Sequence, residues 1–195
     1  MKTTRQKNIA IFASGGGSNA LKIMEYFQNS TVGKVVLLVG NKKEMGAYEK
    51  AQKFSVPFVT LDKSNFYEND ETVKMLQSFH IDLIVLAGFL WLIPESLIKA
   101  FPKRIINIHP ALLPAFGGKG MYGHHVHEAV CKAGETKSGM TIHYVNENFD
   151  EGEVIFQAEC QLEANETPES IAEKVLALEH RYYPPIVEKV LNQMP

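Results

Sequence analysis

Asn8-Ile9-Ala10-Ile11-Phe12-Ala13-Ser14-Gly15-Gly16-Gly17-Ser18-Asn19 reads as a strand, a triple-glycine turn and the start of a helix. The apolar run Asn8–Ala13 lacks polar alternation, as expected of a strand buried on both faces. The same pattern repeats outward. Ser18–Gln28 is expected as a helix with Leu21, Met24 and Tyr26 on its inner side. Lys34–Gly40 (KVVLLVG) follows as a strand, Gly46–Phe54 as a helix and Pro57–Thr60 as a short strand. Ser64–Phe79 reads as one longer helix carrying Val73, Leu76 and Phe79, and Asp82–Ala87 (DLIVLA) as a strongly apolar strand. Val/Ile/Leu runs alternating with helices imply a parallel sheet covered on both faces, an α/β doubly wound fold with right-handed crossovers.

Beyond this, Pro94 opens a short helix and Arg104–Ile108 is a strand. His109–Gly123 is irregular, with Pro110, Pro114 and four glycines. His124–Ala133 is helical, Met140–Val145 and Val154–Cys160 are strands, and Pro168–Leu191 is a helix that Pro184 and Pro185 should kink or interrupt. No repeat, low-complexity segment or linker appears, so residues 1–195 are expected as a single domain.

Composition narrows the function. The 195 residues are 45% hydrophobic and 22% charged, an ordinary globular balance. Such a chain buries about 70% of its unfolded surface and needs no disulfide or metal staple. Cys131 and Cys160 are too few for a disulfide framework and lack metal spacing, which fits a reducing cytosol. Net charge is -2, so no nucleic-acid surface is expected. The longest apolar stretch, Leu83–Ile93, falls far short of the roughly 18 residues of a membrane span. After Lys2, Arg5 and Lys7, the run Ile9–Ala13 is too short for a signal-peptide core of about 7–15 residues. A soluble cytoplasmic protein is expected.

Three places can carry chemistry. In Ser14–Asn19, glycines let a ligand approach the backbone, and a helix N-terminus offers free N–H groups to an anion. Gly15, Gly17 and Ala20 also satisfy the dinucleotide pattern, but the second strand ends in Gly40-Asn41-Lys42-Lys43, without the acid a ribose needs. A phosphate or phosphorylated sugar suits the loop better; tight glycine packing is the plainer alternative. In Asn107-Ile108-His109-Pro110, Asn107 and His109 share one face of a strand at its carboxyl end, where an amide and an imidazole can stabilise an oxyanion and move a proton. The plainer alternative is a histidine that only bonds a loop. Asp150 sits in a polar loop before a strand; it can raise the pKa of a neighbouring imidazole or simply make a turn.

Other histidines give less. His124, His125 and His127 lie close together, and His124 and His127 can share a helix face, but no companion acid or cysteine has metal spacing. His143 can face the same crevice as Asn107. His180 reads as a surface or interface residue. Phe89 and Trp91 can line a pocket or fill a core.

Together these motifs resemble the folate-dependent formyltransferases over about Asn8–Leu191. Ser14-Gly-Gly-Gly-Ser-Asn19, Leu86-Ala-Gly-Phe89, Asn107-Ile-His-Pro-Ala-Leu-Leu-Pro114 and Asp150-Glu-Gly-Glu-Val-Ile-Phe-Gln157 carry the resemblance. The first narrows it to the phosphoribosylglycinamide formyltransferase branch, and at this length the extra domains of related branches are not expected. The resemblance implies a single-domain, mostly parallel sheet of about seven strands with helices on both faces. It also implies formyl transfer from 10-formyltetrahydrofolate, as co-substrate, to 5-phosphoribosylglycinamide in purine synthesis, without a metal. Gly17, Ser18 and Asn19 would bind the nucleotide phosphate and Glu179 the ribose hydroxyls. Leu90, Trp91, Leu92, Ile93, Asn107, Asn146, Glu147, Asn148, Phe149 and Asp150 would form the folate site. Asn107, His109 and Asp150 would be catalytic, with Asp150 keeping His109 protonated.

Three positions depart from the family pattern. Gly117–Gly123 lengthens a loop, whose Lys119 can meet a phosphate, a folate glutamate tail or only solvent. Ala111 replaces a common serine, and Trp91 replaces a residue that is often charged. Two rivals stand beside this reading: a formyltetrahydrofolate hydrolase using the same three side chains, and a non-catalytic module sensing a phosphorylated ligand. Partners would be small molecules, with no nucleic acid or membrane, and the assembly a monomer or homodimer.

Overall fold

One sheet holds seven strands: β1 (Lys7–Ala13), β2 (Gly33–Gly40), β3 (Phe58–Thr60), β4 (Leu83–Leu86), β5 (Ile105–His109), β6 (Lys137–Tyr144) and β7 (Val154–Gln161). The computed structural model describes residues 5–195; Lys2 lies outside them. Strand order is β3-β2-β1-β4-β5-β6-β7. The first five strands run parallel, and β6 and β7 add antiparallel pairs at one edge. The order reverses direction at β1/β4, so the loops leaving those two strands diverge and open a crevice at their carboxyl ends.

Helices α1 (Ser18–Phe27), α2 (Gly46–Lys53), α6 (His124–Ala133) and α7 (Pro168–Gln193) contribute to one core; α3 (Lys63–Tyr67), α4 (Glu71–Ser78) and α5 (Glu95–Ala100) contribute to the other. β1 shows why two cores are needed. Ile9, Ile11 and Ala13 enter the first and Ala10 and Phe12 the second, and all five are fully buried.

Three expectations change. Helix α1 buries Asn19, Ala20, Ile23, Met24 and Phe27, while Tyr26 is 41% exposed and Leu21 is half-buried. Its inner face is therefore rotated from the expected one: Ala20, Ile23, Met24 and Phe27 follow the i, i+3, i+4, i+7 spacing. The expected helix Ser64–Phe79 is two. Asp62 caps α3 by accepting from the backbone N–H of Ser64 (2.9 Å) and Asn65 (3.2 Å), and Asn69 accepts from Glu71 N–H (2.9 Å) to start α4 afresh. Polar side chains that bond the backbone locally compete with helix continuation.

Pro184 and Pro185 do not interrupt α7, which runs 26 residues. Each proline costs about 3 kcal/mol or more in a helix interior. Burial of Val187, Val190 and Leu191 beyond them contributes about 1.5–3 kcal/mol per side chain and offsets that cost. Tyr183, fully buried, also donates from its hydroxyl to the Leu86 carbonyl at 2.8 Å, which ties α7 to the end of β4.

Candidate active site

Alternation along β5 sets the first two side chains. Ile106 and Ile108 lie in the core with α7 and Ile105 in the other, so Asn107 and His109 point the same way. Antiparallel β6 places His143 opposite Asn107 and Thr141 opposite His109. Thr141 Oγ1 donates to the Ala111 carbonyl (2.7 Å) and accepts from Leu113 N–H (3.0 Å), which holds the loop after β5 against β6.

Asp150 arrives from the β6–β7 loop with φ at 58°, a left-handed conformation that Asp and Asn tolerate better than most residues. Gly152 makes the turn possible, because a Cβ there would lie 1.6 Å from the Tyr144 carbonyl oxygen. The carboxylate accepts from Gly118 N–H at 3.1 Å and from Asn107 Nδ2 at 3.4 Å. It stands 3.4 Å from His109 Nδ1 and 3.6 Å from His143 Nε2. Asn107 Nδ2 also lies 3.1 Å from His143 Nε2. His143 Nδ1 donates to the Tyr144 carbonyl at 2.9 Å, so in the neutral ring Nε2 is the acceptor for Asn107.

His109 Nε2 donates to the Phe116 carbonyl at 2.8 Å, leaving Nδ1 toward Asp150. Burial pushes the His109 pKa down; Asp150 and the Phe116 carbonyl oppose this without cancelling it, and His143 adds to the depression. Asp150 thus pulls the His109 pKa up, as expected of it, but burial outweighs that pull and favours the neutral ring. Burial pushes the Asp150 carboxyl up, but the His143 ring, the His109 ring and Gly118 N–H together hold it below the ordinary carboxylate range. The result is an ionised carboxylate facing a neutral imidazole nitrogen. A proton reaching Nδ1 converts that contact into an ion pair.

The glycine loop lies across the β1/β4 divergence. Ser14 N–H donates to the Gly88 carbonyl (3.0 Å) and Ser14 Oγ accepts from Leu90 N–H (2.9 Å), which joins the two loops. Gly17 takes φ 71° against α2, where a Cβ would meet the Ala47 Cβ at 2.5 Å, so packing requires this glycine. Around Gly15 and Gly16 a Cβ would meet nothing within 4 Å. No side chain caps α1 and no acid stands in its first turn, so its N–H groups remain available to an anion. Lys50 Nζ donates to the Gly16 carbonyl beside them. Asn19 Nδ2 donates to Glu179 Oε2 at 2.6 Å; both are buried, and burial pushes the Glu179 carboxyl up to about 7.

A cavity of about 650 Å³ joins these places. Asn107, His109 and Asp150 line it, as do Asn19 and Glu179. So do Leu90, Trp91, Leu92, Ile93, Asn148 and Phe149. Gly17 and Ser18 lie outside the lining, on the adjoining loop. Asn146 and Glu147 also lie outside it; Asn146 Oδ1 instead accepts from Asn148 N–H at 3.1 Å. Trp91 packs with Phe66, Tyr67 and Phe89 at ring separations of 5.6–6.2 Å, so the aromatic is both wall and core. Lys119 is exposed at the lining. Among the described residues, no three His, Cys, Asp or Glu side chains cluster as metal ligands. His124 and His127 share the helix face that lines the cavity, as expected; His124 is exposed there and pairs with Glu128 and Glu169, while His127 is buried. His180, expected as a surface or interface residue, is half-buried with Nε2 enclosed.

Sequence reading named only Glu179 on the α7 wall and missed Ala172, Val175 and Leu176. Ala172, Val175, Leu176 and Glu179 line the cavity together, and their i, i+3, i+4, i+7 spacing was the available signal. His127 and the backbone of Gly88 and Gly118 were missed as well.

Residues 7–187 match the family model described as formyl transferase. The chain belongs to that family. Its curated relatives include a phosphoribosylglycinamide formyltransferase of Bacillus subtilis, 34% identical over 95% of either chain. The chloroplastic phosphoribosylglycinamide formyltransferase of Arabidopsis thaliana is 47% identical over 97% of this chain, which spans 67% of that protein. The crystal structure of phosphoribosylglycinamide formyltransferase from Bacillus halodurans superposes with a TM-score of 0.86, at 36% identity and 96% coverage of both chains. Formyl transferase membership accords with the seven-stranded, mostly parallel sheet and with a site at its carboxyl edge. No helix among the described residues is long and apolar enough to cross a membrane.

Proposed function

We propose that this chain transfers the formyl group of 10-formyltetrahydrofolate to the glycinamide amine of 5-phosphoribosylglycinamide, a step of purine synthesis. One observation carries the reading. A single cavity is lined by Asn107, His109 and Asp150 and also by Asn19, in the first turn of α1 beside the uncapped glycine loop. The curated relatives bear the same activity in their names.

The glycine loop and α1 N-terminus bind the nucleotide phosphate through Gly17, Ser18 and Asn19, and Glu179 meets the ribose. Leu90–Ile93, Asn148 and Phe149 hold the folate. Their mix of apolar side chains and backbone groups fits a flat heteroaromatic ring. Asn146 and Glu147 support that loop from outside the cavity.

At the reacting centre the amine nitrogen forms a bond to the formyl carbon as the carbonyl electrons move onto oxygen. Asn107 stabilises that oxyanion: His143 accepts one of its amide hydrogens, and the long 3.4 Å contact to Asp150 leaves the second free to turn. Each such donor contributes about 3 kcal/mol. His109 Nδ1 takes the proton lost by the amine, and Asp150 stabilises the imidazolium so formed. The proton then moves to the departing folate nitrogen as its bond to the formyl carbon breaks. Holding both substrates in one cavity contributes up to about 7–11 kcal/mol. No step assigned here uses a metal.

The proposed setting is the cytoplasm, which the two free cysteines fit, and the proposed assembly is a monomer or homodimer. The deciding experiment is a turnover assay with both substrates. Loss of the formyl group should require the ribonucleotide; release to water without it would replace this reading by a hydrolase.

A further inference from the structure

Parallel pairing of β1 with β4 ends at Phe12 and Leu86. Past that end the ladder continues through two backbone bonds, Ala87 N–H to the Phe12 carbonyl (2.8 Å) and Ser14 N–H to the Gly88 carbonyl (3.0 Å). The next link is a side chain: Ser14 Oγ accepts from Leu90 N–H at 2.9 Å. Ser14 therefore grips the chain on both sides of Phe89. Packing does little else for the segments that meet here. Gly15 and Gly16 are exposed, and a Cβ on either, or on Gly88, would meet nothing within 4 Å. The Leu90 side chain is 44% exposed on the cavity. The glycine loop then turns into α1, and Leu90–Ile93 becomes the wall assigned to the folate.

We infer that the Ser14 hydroxyl is a positioning residue that couples the two substrate ends of the cavity, so that a sugar phosphate and a reduced folate each bind more tightly when the other is present. The inference rests on the proposed function and deepens it. Ser14 is 3% exposed and is absent from the cavity lining, so it acts through Leu90 and the glycine loop and not by touching a ligand. A phosphate on the glycine loop fixes Gly15–Asn19, and with them the place at which Ser14 offers its oxygen. A folate on Leu90–Ile93 fixes the N–H that meets that oxygen. Whichever ligand binds first meets the entropy cost of ordering the shared joint, and the second binds without it. Such coupling is reciprocal by thermodynamic necessity.

The test titrates tetrahydrofolate into the protein by calorimetry, with and without saturating ribose 5-phosphate. This pair lacks the formyl group and the amine through which the substrates meet, so coupling between them passes through the protein. In wild type, ribose 5-phosphate should tighten tetrahydrofolate about fivefold or more, and the reverse titration should give the same factor. In Ser14→Ala, which keeps the backbone bond to Gly88, the factor should fall to within about 1.5-fold of unity. A factor of one in wild type overturns the inference. So does an undiminished factor in Ser14→Ala, whatever the separate affinities do, because weaker binding with intact coupling is what a merely structural serine gives. If Ser14→Ala does not fold, amide exchange in wild type decides. Ribose 5-phosphate alone should slow exchange at Leu90 about fivefold, and unaltered exchange overturns the inference. If wild type binds neither ligand, the functional reading fails and the inference with it; if it binds both without coupling, only the inference fails.

Discussion

Asn19 and Glu179 lie 160 positions apart in the sequence and meet through one buried hydrogen bond of 2.6 Å. The bond closes the nucleotide end of the cavity, joining the start of α1 to the middle of α7. Its acceptor is a carboxyl whose pKa is raised to about 7 from 4.5. The folded protein therefore holds this proton more tightly than the unfolded chain. The resulting stabilisation is complete below pH 4.5 and is lost as pH rises through about 7. Glu179→Gln keeps an acceptor for Asn19 and removes the buried charge. It should raise stability at pH 8 by about 3 kcal/mol, with no gain at pH 4.5, while nucleotide affinity falls. Urea unfolding at the two pH values checks this; an equal change at both would sink it.

His109 works in the opposite direction. Its pKa is lowered chiefly by burial. Its contribution is present above the unfolded value near 6.5 and lost as pH falls through the lower folded value. Glu179 pulls the other way over this range, so the test is a difference: His109→Asn should gain urea stability relative to wild type as pH falls from 7 to 5.5. A difference that stays constant over that range would show that His109 does not titrate on unfolding.

Asp150→Asn should preserve the backbone, because asparagine accepts the positive φ at this position. It removes the charge that faces His109 Nδ1. Turnover should fall about 10²–10⁴-fold, the usual worth of proton transfer, with nucleotide affinity within about threefold. Steady-state kinetics beside nucleotide titration separates these outcomes. Near-normal turnover removes Asp150 from the chemistry.

Gly17→Ala forces a methyl against Ala47 at 2.5 Å and keeps φ at 71°. A destabilisation of about 1–3 kcal/mol is expected, together with weaker phosphate binding. Gly15→Ala has open space around it and should leave stability within about 1 kcal/mol. Thermal melts of both variants test the contrast, and equal melting temperatures would refute it.

Turnover should survive EDTA, since Asn107, His109 and Asp150 are assigned every step. Loss of activity restored by one divalent ion would require a different mechanism.

The sheet was legible because buried strands leave unbroken runs such as Leu83–Leu86, and Asn107 and His109 because side chains alternate strictly. Helix orientation was less so. Tyr26 is apolar enough to read as core yet amphipathic enough to sit in solvent, and only packing against α7 decides. The break between α3 and α4 depends on Asp62 and Asn69 turning back on the backbone, a local competition that hydrophobic spacing does not record. The protonation of His109 lay further still from the sequence, because it depends on burial created by the whole fold. The hydrogen bond from Asn19 to Glu179 was likewise invisible, though each residue was singled out separately.

Helix α7 supplies the last wall of the cavity and carries both Glu179 and Tyr183. On the ribosome this has a consequence for timing. Residues 7–161 emerge first and carry all seven strands, but the face of β5 and β6 that holds Ile106, Ile108 and Ile142 is covered only by the later helix. Until Pro168–Gln193 follows, Asn19 has no Glu179 to donate to, and the nucleotide end of the cavity stays open to water. Docking of α7 therefore both covers the sheet behind Asn107 and His109 and closes the nucleotide end, so the two halves of the site depend on one helix.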